Sequence, residues 1–282
     1  MVNIKELKSV ELSSFTIIST GIAVLFAIIS SILLTLVIGI TNASAIGVGI
    51  YLIPTIVVGT LMYTIYNSFF EGFIYNTLAK YLKTIKFAFN DKEIVKVTTT
   101  ETAIITSMIA TIQVILLYLV SVFVLPLIIS ASMQTLMYAG QTTLAYTLYQ
   151  LLVLISQPTT IAMVIFGTFI ITFVYVLLAC YIYNLLANSG RGILVNLSKE
   201  NNLTVIESID MMRFAIVFGI ITGILSLISG IIGVISGGTA MTLISSAIGG
   251  LVSGLVEGAL FAIFYNFLAP KLGKLKLELI DF

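Results

Sequence analysis

Three long stretches without any charged side chain dominate this sequence and limit what it can fold into. They are residues 12–70, 102–190 and 214–256. About 20 apolar residues cross the ~30 Å hydrocarbon core of a bilayer, so each stretch is long enough to cross twice. Only 9% of all residues are charged, against roughly 25% in soluble domains. The sequence therefore predicts an integral membrane protein, and a net charge of +1 gives no reason to expect nucleic acid as a partner.

Each charge-free stretch contains an apolar run, a polar break and a second apolar run, which is the pattern of a helix hairpin. We expect a mainly α-helical protein with six membrane spans. The predicted spans are about 15–40, 55–80, 102–130, 160–187, 214–236 and 247–269. The basic residues cluster in 5–8, 80–96, 191–213 and 271–276. The positive-inside rule places these segments, and both termini, on the cytoplasmic side of the cell membrane.

A Tyr-Asn pair near the end of the second, fourth and sixth spans indicates an internal repeat. The pairs align without gaps, each is followed by x-Leu-Ala, and a glycine precedes each tyrosine by 16 residues: Tyr75-Asn76 with Gly59, Tyr183-Asn184 with Gly167, and Tyr265-Asn266 with Gly249. Ten residues after each tyrosine begins a segment of alternating apolar residues, 85–89, 193–197 or 275–279. Such alternation predicts a half-buried β-strand. We expect the tyrosines at the inner membrane interface and the asparagines bonded to backbone where each helix leaves the lipid.

The start of each copy also repeats, because Glu11, Glu101 and Asp210 each precede a predicted span. An acidic residue there favours a helix N-terminus. Each copy then reads as strand, helix out, loop, helix back and strand, with the copies at 1–90, 91–200 and 201–282. Two short links between strands predict cytoplasmic β-hairpins. One link has two residues and follows Phe89, and the other has four residues and follows Ser198. Six strands could form one sheet below a pseudo-threefold bundle, closed if the first pairs with the last.

The third copy reads TVIESIDMM before its first span and LFAIFYNFLAPKLGKLKLEL at its end. Together with the two more diverged copies, it resembles a family of small prokaryotic membrane proteins classed as a domain of unknown function. The resemblance implies a strand–helix–helix–strand module ending in Tyr-Asn-x-Leu-Ala, present three times, and it implies no activity. The copies differ from one another, because Thr84 stands where the second has Gly192, and only the third carries Gly273.

Two acidic residues, Glu71 and Glu257, fall inside predicted spans, where an ionisable group is costly and suggests function. The position eight residues before each repeat tyrosine holds Asn67, Tyr175 or Glu257. If these faces meet on the pseudo-threefold axis, the three residues form a polar ring above Glu71 that could carry a cation or a proton. Alternatively, Glu257 is protonated and hydrogen-bonded in a packed interior, and Glu71 reaches the interface.

A stripe of small residues, Gly250, Gly254 and Gly258, runs along the sixth predicted span. Glycines four residues apart let two helices approach closely. We expect this stripe to pack a helix of the same chain, and an oligomer contact is the alternative. The oligomeric state itself does not follow from the sequence.

The absence of histidine excludes Ser-His-Asp triads and the usual zinc sites. Cys180 is the single cysteine, so no disulfide can form within the chain. We therefore expect no enzyme, cofactor or metal site. The first hypothesis is a structural or accessory membrane protein that lies in the lipid bilayer and anchors or organises a complex, with its inner strands binding a membrane or cytoplasmic protein partner. The alternative is a small cation or proton channel or transporter that uses the ring around Glu257.

Overall fold

The computed structural model describes residues 2–43 and 46–282, which form a closed β-barrel joined to long apolar helices. In chain order the elements are β1 (Val2–Val10), α1 (Leu12–Thr41), α2 (Ile46–Leu78), β2 (Lys86–Asn90), β3 (Glu93–Val97), α3 (Thr99–Tyr138), α4 (Thr142–Ser156), α5 (Pro158–Leu186), β4 (Ile193–Glu200), β5 (Leu203–Ile209), α6 (Met211–Ile235), α7 (Ala240–Leu272) and β6 (Lys276–Asp281). A π-helical turn, Ala187–Arg191, joins α5 to β4.

Within the described residues, six helices are long and apolar enough to cross a membrane, and α4 is the shorter seventh. This confirms the prediction of a mainly helical chain with six possible spans. Several helices are longer than predicted: α2 begins at Ile46 instead of about 55, and α3 continues to Tyr138 instead of about 130. A helix satisfies the hydrogen bonds of its own backbone. Uncharged residues next to the hydrocarbon core can therefore continue the helix beyond the predicted span.

The six strands form one closed antiparallel barrel in sequence order, in which β1 pairs with both β2 and β6. The closure that the sequence only suggested is therefore present, and every described strand has a paired neighbour on both sides. Two-residue turns link β2 to β3 and β4 to β5. Asp91 and Asn201 take positive φ angles of 54° and 55° at these turns, a conformation that Asp and Asn adopt more readily than most residues. The second link is shorter than the predicted four residues because β4 extends to Glu200.

Apolar side chains from alternate strand positions build the core of the barrel. Phe87 and Phe89 on β2 lie with their ring centroids 6.3 Å apart, and Val195 on β4 is buried beside Phe89 in the same cluster. This cluster continues into α1 and α7 through Ile18, Ile22, Ala262, Phe264 and Leu268. A barrel this small has room only for side chains. The alternating pattern in the sequence therefore marks the inward face of the strands.

The chain divides into two compact units, Met1–Thr102 with Leu177–Phe282, and Ala103–Val176. The first contains the barrel, with α1 packed on α2 and α6 packed on α7. In the second, a cavity of about 190 Å³ lies between α3 and α4, bordered by Tyr118, Pro126 and Leu152 among others.

Glycines bring α6 and α7 into close contact. A Cβ atom at Gly254 would lie 1.7 Å from Thr222 Oγ1 and 2.9 Å from Gly219 Cα. A Cβ at Gly250 would lie 2.4 Å from Ser226 Cβ. The small-residue stripe on α7 therefore faces a helix of the same chain. By contrast, a Cβ atom at the repeat glycines Gly59, Gly167 and Gly249 would have no atom of another described residue within 4 Å, beyond its chain neighbours and its own helix backbone.

Candidate functional site

Each repeat tyrosine ties the end of a long helix to a strand of the barrel. The three hydroxyl groups donate to the backbone carbonyls of three strands: Tyr75 to Leu7 at 2.7 Å, Tyr183 to Ile94 at 2.5 Å and Tyr265 to Ile206 at 2.6 Å. The oxygens of Tyr183 and Tyr265 also accept from the N–H groups ten residues further along, those of Ile193 at 3.4 Å and Leu275 at 3.3 Å. Tyr183 therefore bridges β3 and β4, and Tyr265 joins β5 to the residue before β6.

Each repeat asparagine bonds both backbone groups of one residue at the end of a strand. Its amide oxygen accepts from the N–H and its amide nitrogen donates to the C=O: Asn76 to Val10 at 2.7 and 2.8 Å, Asn184 to Val97 at 2.8 and 2.9 Å, and Asn266 to Ile209 at 2.9 and 2.8 Å. We call each tyrosine and asparagine with this strand a Tyr-Asn clamp. The clamps satisfy backbone groups that the end of a strand would otherwise leave open.

The residue after each clamped strand end starts a helix. The N–H groups of Glu11, Thr98 and Asp210 donate to carbonyls of the adjacent strand, each at 3.0 Å. The carboxylates of Glu11 and Asp210 then cap α1 and α6, accepting from the N–H groups of Ser14 at 2.6 Å and Arg213 at 2.7 Å. In the middle copy this place belongs to Thr98, because α3 begins at Thr99. The expectation that Glu101 precedes the helix is wrong, since it lies inside the first turn.

Three glutamates beside the clamps were not recognised from the sequence. Their carboxylates accept hydrogen bonds from the position nine residues after each repeat tyrosine: Glu6 from the Thr84 hydroxyl, Glu93 from the Gly192 N–H at 2.7 Å and Glu207 from the Lys274 ammonium. The sequence indicated only that these glutamates lie on strands. It did not indicate their hydrogen bonds, because the partners are distant in the chain.

Hydrogen bonds set the ionisation of two of these acids. Bonds from Lys8 and Thr84 hold the pKa of Glu6 below its ordinary value, and bonds from Lys274 and Ser198 do the same for the pKa of Glu207. Both carboxylates are therefore charged at neutral pH. At the remaining contact only glycine fits at position 192, because a Cβ atom there would lie 2.4 Å from the carbonyl oxygen of Ile94.

The polar residues predicted to form a ring lie at different depths of burial. Asn67 and Glu71 are half-buried on α2, whereas Tyr175 on α5 and Glu257 on α7 are exposed. The side chains of Glu71 and Glu257 have no hydrogen bond or ion pair with another described residue. Both the polar ring and the alternative of a hydrogen-bonded, protonated Glu257 stay predictions.

Where the barrel closes, four large apolar side chains point outward. They are Val2, Ile4, Ile280 and Phe282, which are 60%, 41%, 46% and 74% exposed, and we call them the seam patch. The Phe282 N–H donates to the Ile4 carbonyl at 2.9 Å, and the Lys86 ammonium lies 3.1 Å from the Phe282 ring centroid. Large contiguous patches of exposed apolar groups are often interaction surfaces, so these four side chains are a candidate for one.

The described residues contain no group of three or more His, Cys, Asp or Glu side chains that could hold a metal ion. What they do bring together is backbone, clamp side chains and the carboxylates beside them, which form a structural junction. No protein-family model, curated protein or solved structure matches this chain.

Proposed function

We propose that this chain is a structural or accessory protein of the cell membrane that anchors or organises a complex. In this proposal it consists of three tandem copies of one two-helix module, like the prokaryotic family it resembles, around a pseudo-threefold axis. The three Tyr-Asn clamps support the repeat, because their bonds have the same register in all three. The aligned capping residues Glu11, Thr98 and Asp210 support it as well.

The observation that carries the proposal is the closed barrel with an apolar interior. Phe87, Phe89 and Val195 belong to its core, so the barrel offers neither a water-filled path nor a polar pocket at its centre. Closure also removes the free edges to which a peptide could add as a further strand. A protein partner would therefore bind the outer surface of the barrel, for which the seam patch is the best candidate.

The proposed orientation places the barrel in the cytoplasm. All 13 Lys and Arg residues lie in or next to its strands and junctions, as the positive-inside rule requires. To test this, Cys180 is replaced by serine and a single cysteine is introduced at Asn202 or at Ser236. In intact cells a membrane-impermeant maleimide should label only the Ser236 site, and labelling of only the Asn202 site would reverse the orientation.

The structural role is tested by photo-crosslinking in cells from position 280, with position 202 as the exposed control. We expect one protein to crosslink from position 280 and not from 202, and to be lost when Phe282 is changed to serine. The replacement tests whether capture depends on the seam patch. Equal capture from both positions, or none from either, would contradict the proposal.

The carboxyl of Glu257, which has no hydrogen bond or ion pair with another described residue, favours ion conduction as a second candidate. Proton and monovalent-cation flux into liposomes should then be faster with the wild-type protein than with Glu257→Gln. Equal flux from both, at the level of empty liposomes, would exclude this candidate. The apolar barrel core argues against a path along the barrel axis, although not against one between helices.

A further inference from the structure

A cavity of about 440 Å³ lies among α1, α6 and α7, and the proposed structural role does not account for it. Its lining consists of four phenylalanines, one glycine and one acid: Phe26, Phe214, Phe218, Phe261, Gly258 and Glu257. The volume falls within the range of about 300–1,000 Å³ that is typical of small-molecule sites.

Three of the rings form one stack across two helices. Phe214 stacks on Phe218 with ring centroids 6.0 Å apart and on Phe261 with centroids 5.2 Å apart, at interplanar angles of 9° and 16°. The close approach of the helices fixes this stack, because a Cβ atom at Gly258 would lie 3.0 Å from the Cβ of Phe218. The close approach of the two helices at Gly258 therefore limits where the Phe218 side chain can lie.

The single acid stands one helical turn from this wall. Glu257 and Phe261 are four residues apart on α7 and so share a face. The Glu257 side chain is exposed and has no hydrogen bond or ion pair with another described residue. A carboxylate in a membrane helix is costly unless a partner compensates its charge. This points to a bound molecule, and not to a described residue of the chain, as the partner of Glu257.

The chemistry of the lining selects the kind of partner. Faces of aromatic rings attract cations, and quaternary ammonium groups are recognised in this way. A metal ion would need several oxygen ligands, and the lining offers only the carboxylate among apolar groups. We propose that this cavity binds a membrane-soluble organic cation, a quaternary ammonium or phosphonium, with Glu257 as its counter-ion and the phenylalanine stack as its wall. This proposal goes beyond the proposed structural role and does not depend on it.

The test is equilibrium dialysis of radiolabelled tetraphenylphosphonium against the purified full-length chain in a maltoside detergent. We expect saturable binding of one cation per chain and at least tenfold weaker binding by Glu257→Gln. The matched control is Glu101→Gln, which removes a carboxylate outside the cavity and should bind like the wild type. All variants are first compared by size-exclusion chromatography, so that misfolded protein is not scored as weak binding.

A second variant tests the wall separately from the charge. Phe218→Leu keeps an apolar side chain but removes one ring, and we expect it to weaken tetraphenylphosphonium binding several-fold. Binding that is unchanged in Glu257→Gln, or no saturable binding by the wild-type protein, would overturn the proposal.

Two sources of the cation are separated by competition. Displacement of tetraphenylphosphonium by dihexanoylphosphatidylcholine, but not by dihexanoylphosphatidylglycerol, would identify the natural ligand as an ammonium lipid headgroup. Displacement only by tetraphenylphosphonium itself or by benzyltrimethylammonium would identify a free organic cation. Equal displacement by both lipids would show that apolar contact alone drives binding, and would overturn the role of Glu257.

Discussion

The Tyr-Asn clamps should contribute measurably and equally to stability, and the asparagines provide the clearest test. Replacing Asn76, Asn184 or Asn266 with alanine removes two hydrogen bonds of 2.7–2.9 Å to the backbone of one strand residue. A hydrogen bond contributes a net ~0.5–1.5 kcal/mol, and a buried group left without a partner costs about 1–3 kcal/mol. Because the bonds are only part-buried, water compensates in part. We expect each variant to lose about 2–3 kcal/mol of unfolding free energy.

The measurement is unfolding of the purified protein by titration with sodium dodecyl sulfate in mixed micelles, followed by near-ultraviolet circular dichroism of its tyrosines. The control is Asn202→Ala, an exposed asparagine in the β4–β5 turn, for which a change within about 0.5 kcal/mol is expected. The Asn76→Ala and Asn266→Ala effects should also add, since separate sites that share no partner behave independently.

The losses of unfolding free energy of the three asparagine variants must be compared with one another and with the control. Losses similar to one another and clearly above the control would show that the three junctions carry equal loads. Values for all three variants that match the Asn202→Ala control would refute the clamp as a source of stability. A large loss at one site alone would mean that the three clamps contribute unequally to stability despite their similar hydrogen bonds.

Three further predictions use other parts of the same junctions and of the helix contact. Tyr265→Phe removes the hydroxyl that donates to the Ile206 carbonyl and accepts from the Leu275 N–H, and should cost about 1–2 kcal/mol in the same titration; no change would show that the hydroxyl does not stabilise this junction. Gly254→Ala should cost about 1–3 kcal/mol by overpacking, whereas Gly249→Ala, with open space at its Cβ, should cost none; equal effects would contradict the α6–α7 contact. The pKa of Glu207 is lowered by its hydrogen bond from Lys274, so this stabilisation is present above the ordinary pKa of 4.5 and is lost as pH falls through the lowered value. The acid limb of a stability–pH curve should therefore be shallower in Glu207→Gln, and an unchanged limb would refute the assignment.

The strands could be anticipated because they follow from local pattern, whereas their closure into a barrel was only suggested. Alternation at 85–89, 193–197 and 275–279 marks an inward face, and Phe89, Val195 and Leu279 do belong to the core cluster. Two short polar links indicate hairpins, and an even number of strands lets the first return beside the last. Helix length was less predictable, since hydropathy indicates which residues can lie in lipid and does not indicate where a helix ends.

The site was harder to predict because its bonds join residues that are far apart in the chain. The sequence placed Tyr75 at a membrane interface for its amphipathic ring, whereas its hydroxyl bonds to Leu7, 68 residues away. The sequence also favoured Glu101 as the helix-starting acid, because an acidic residue there is the usual signal. The structure uses Thr98 instead, whose hydroxyl accepts from the Lys86 N–H at 3.0 Å. No local pattern distinguishes a residue at the cap from one within the first turn.

The variation at one repeat position has a physical explanation that the sequence concealed. Nine residues after the repeat tyrosines the copies carry Thr84, Gly192 and Lys274, which share neither size nor charge. Each nevertheless presents a donor, a hydroxyl, a backbone N–H or an ammonium, to a glutamate on the paired strand. A carboxylate accepts from all three kinds of donor, so the position can vary as long as a donor remains. The element common to the three contacts is therefore the glutamate, so the differences at this position do not contradict the proposed repeat.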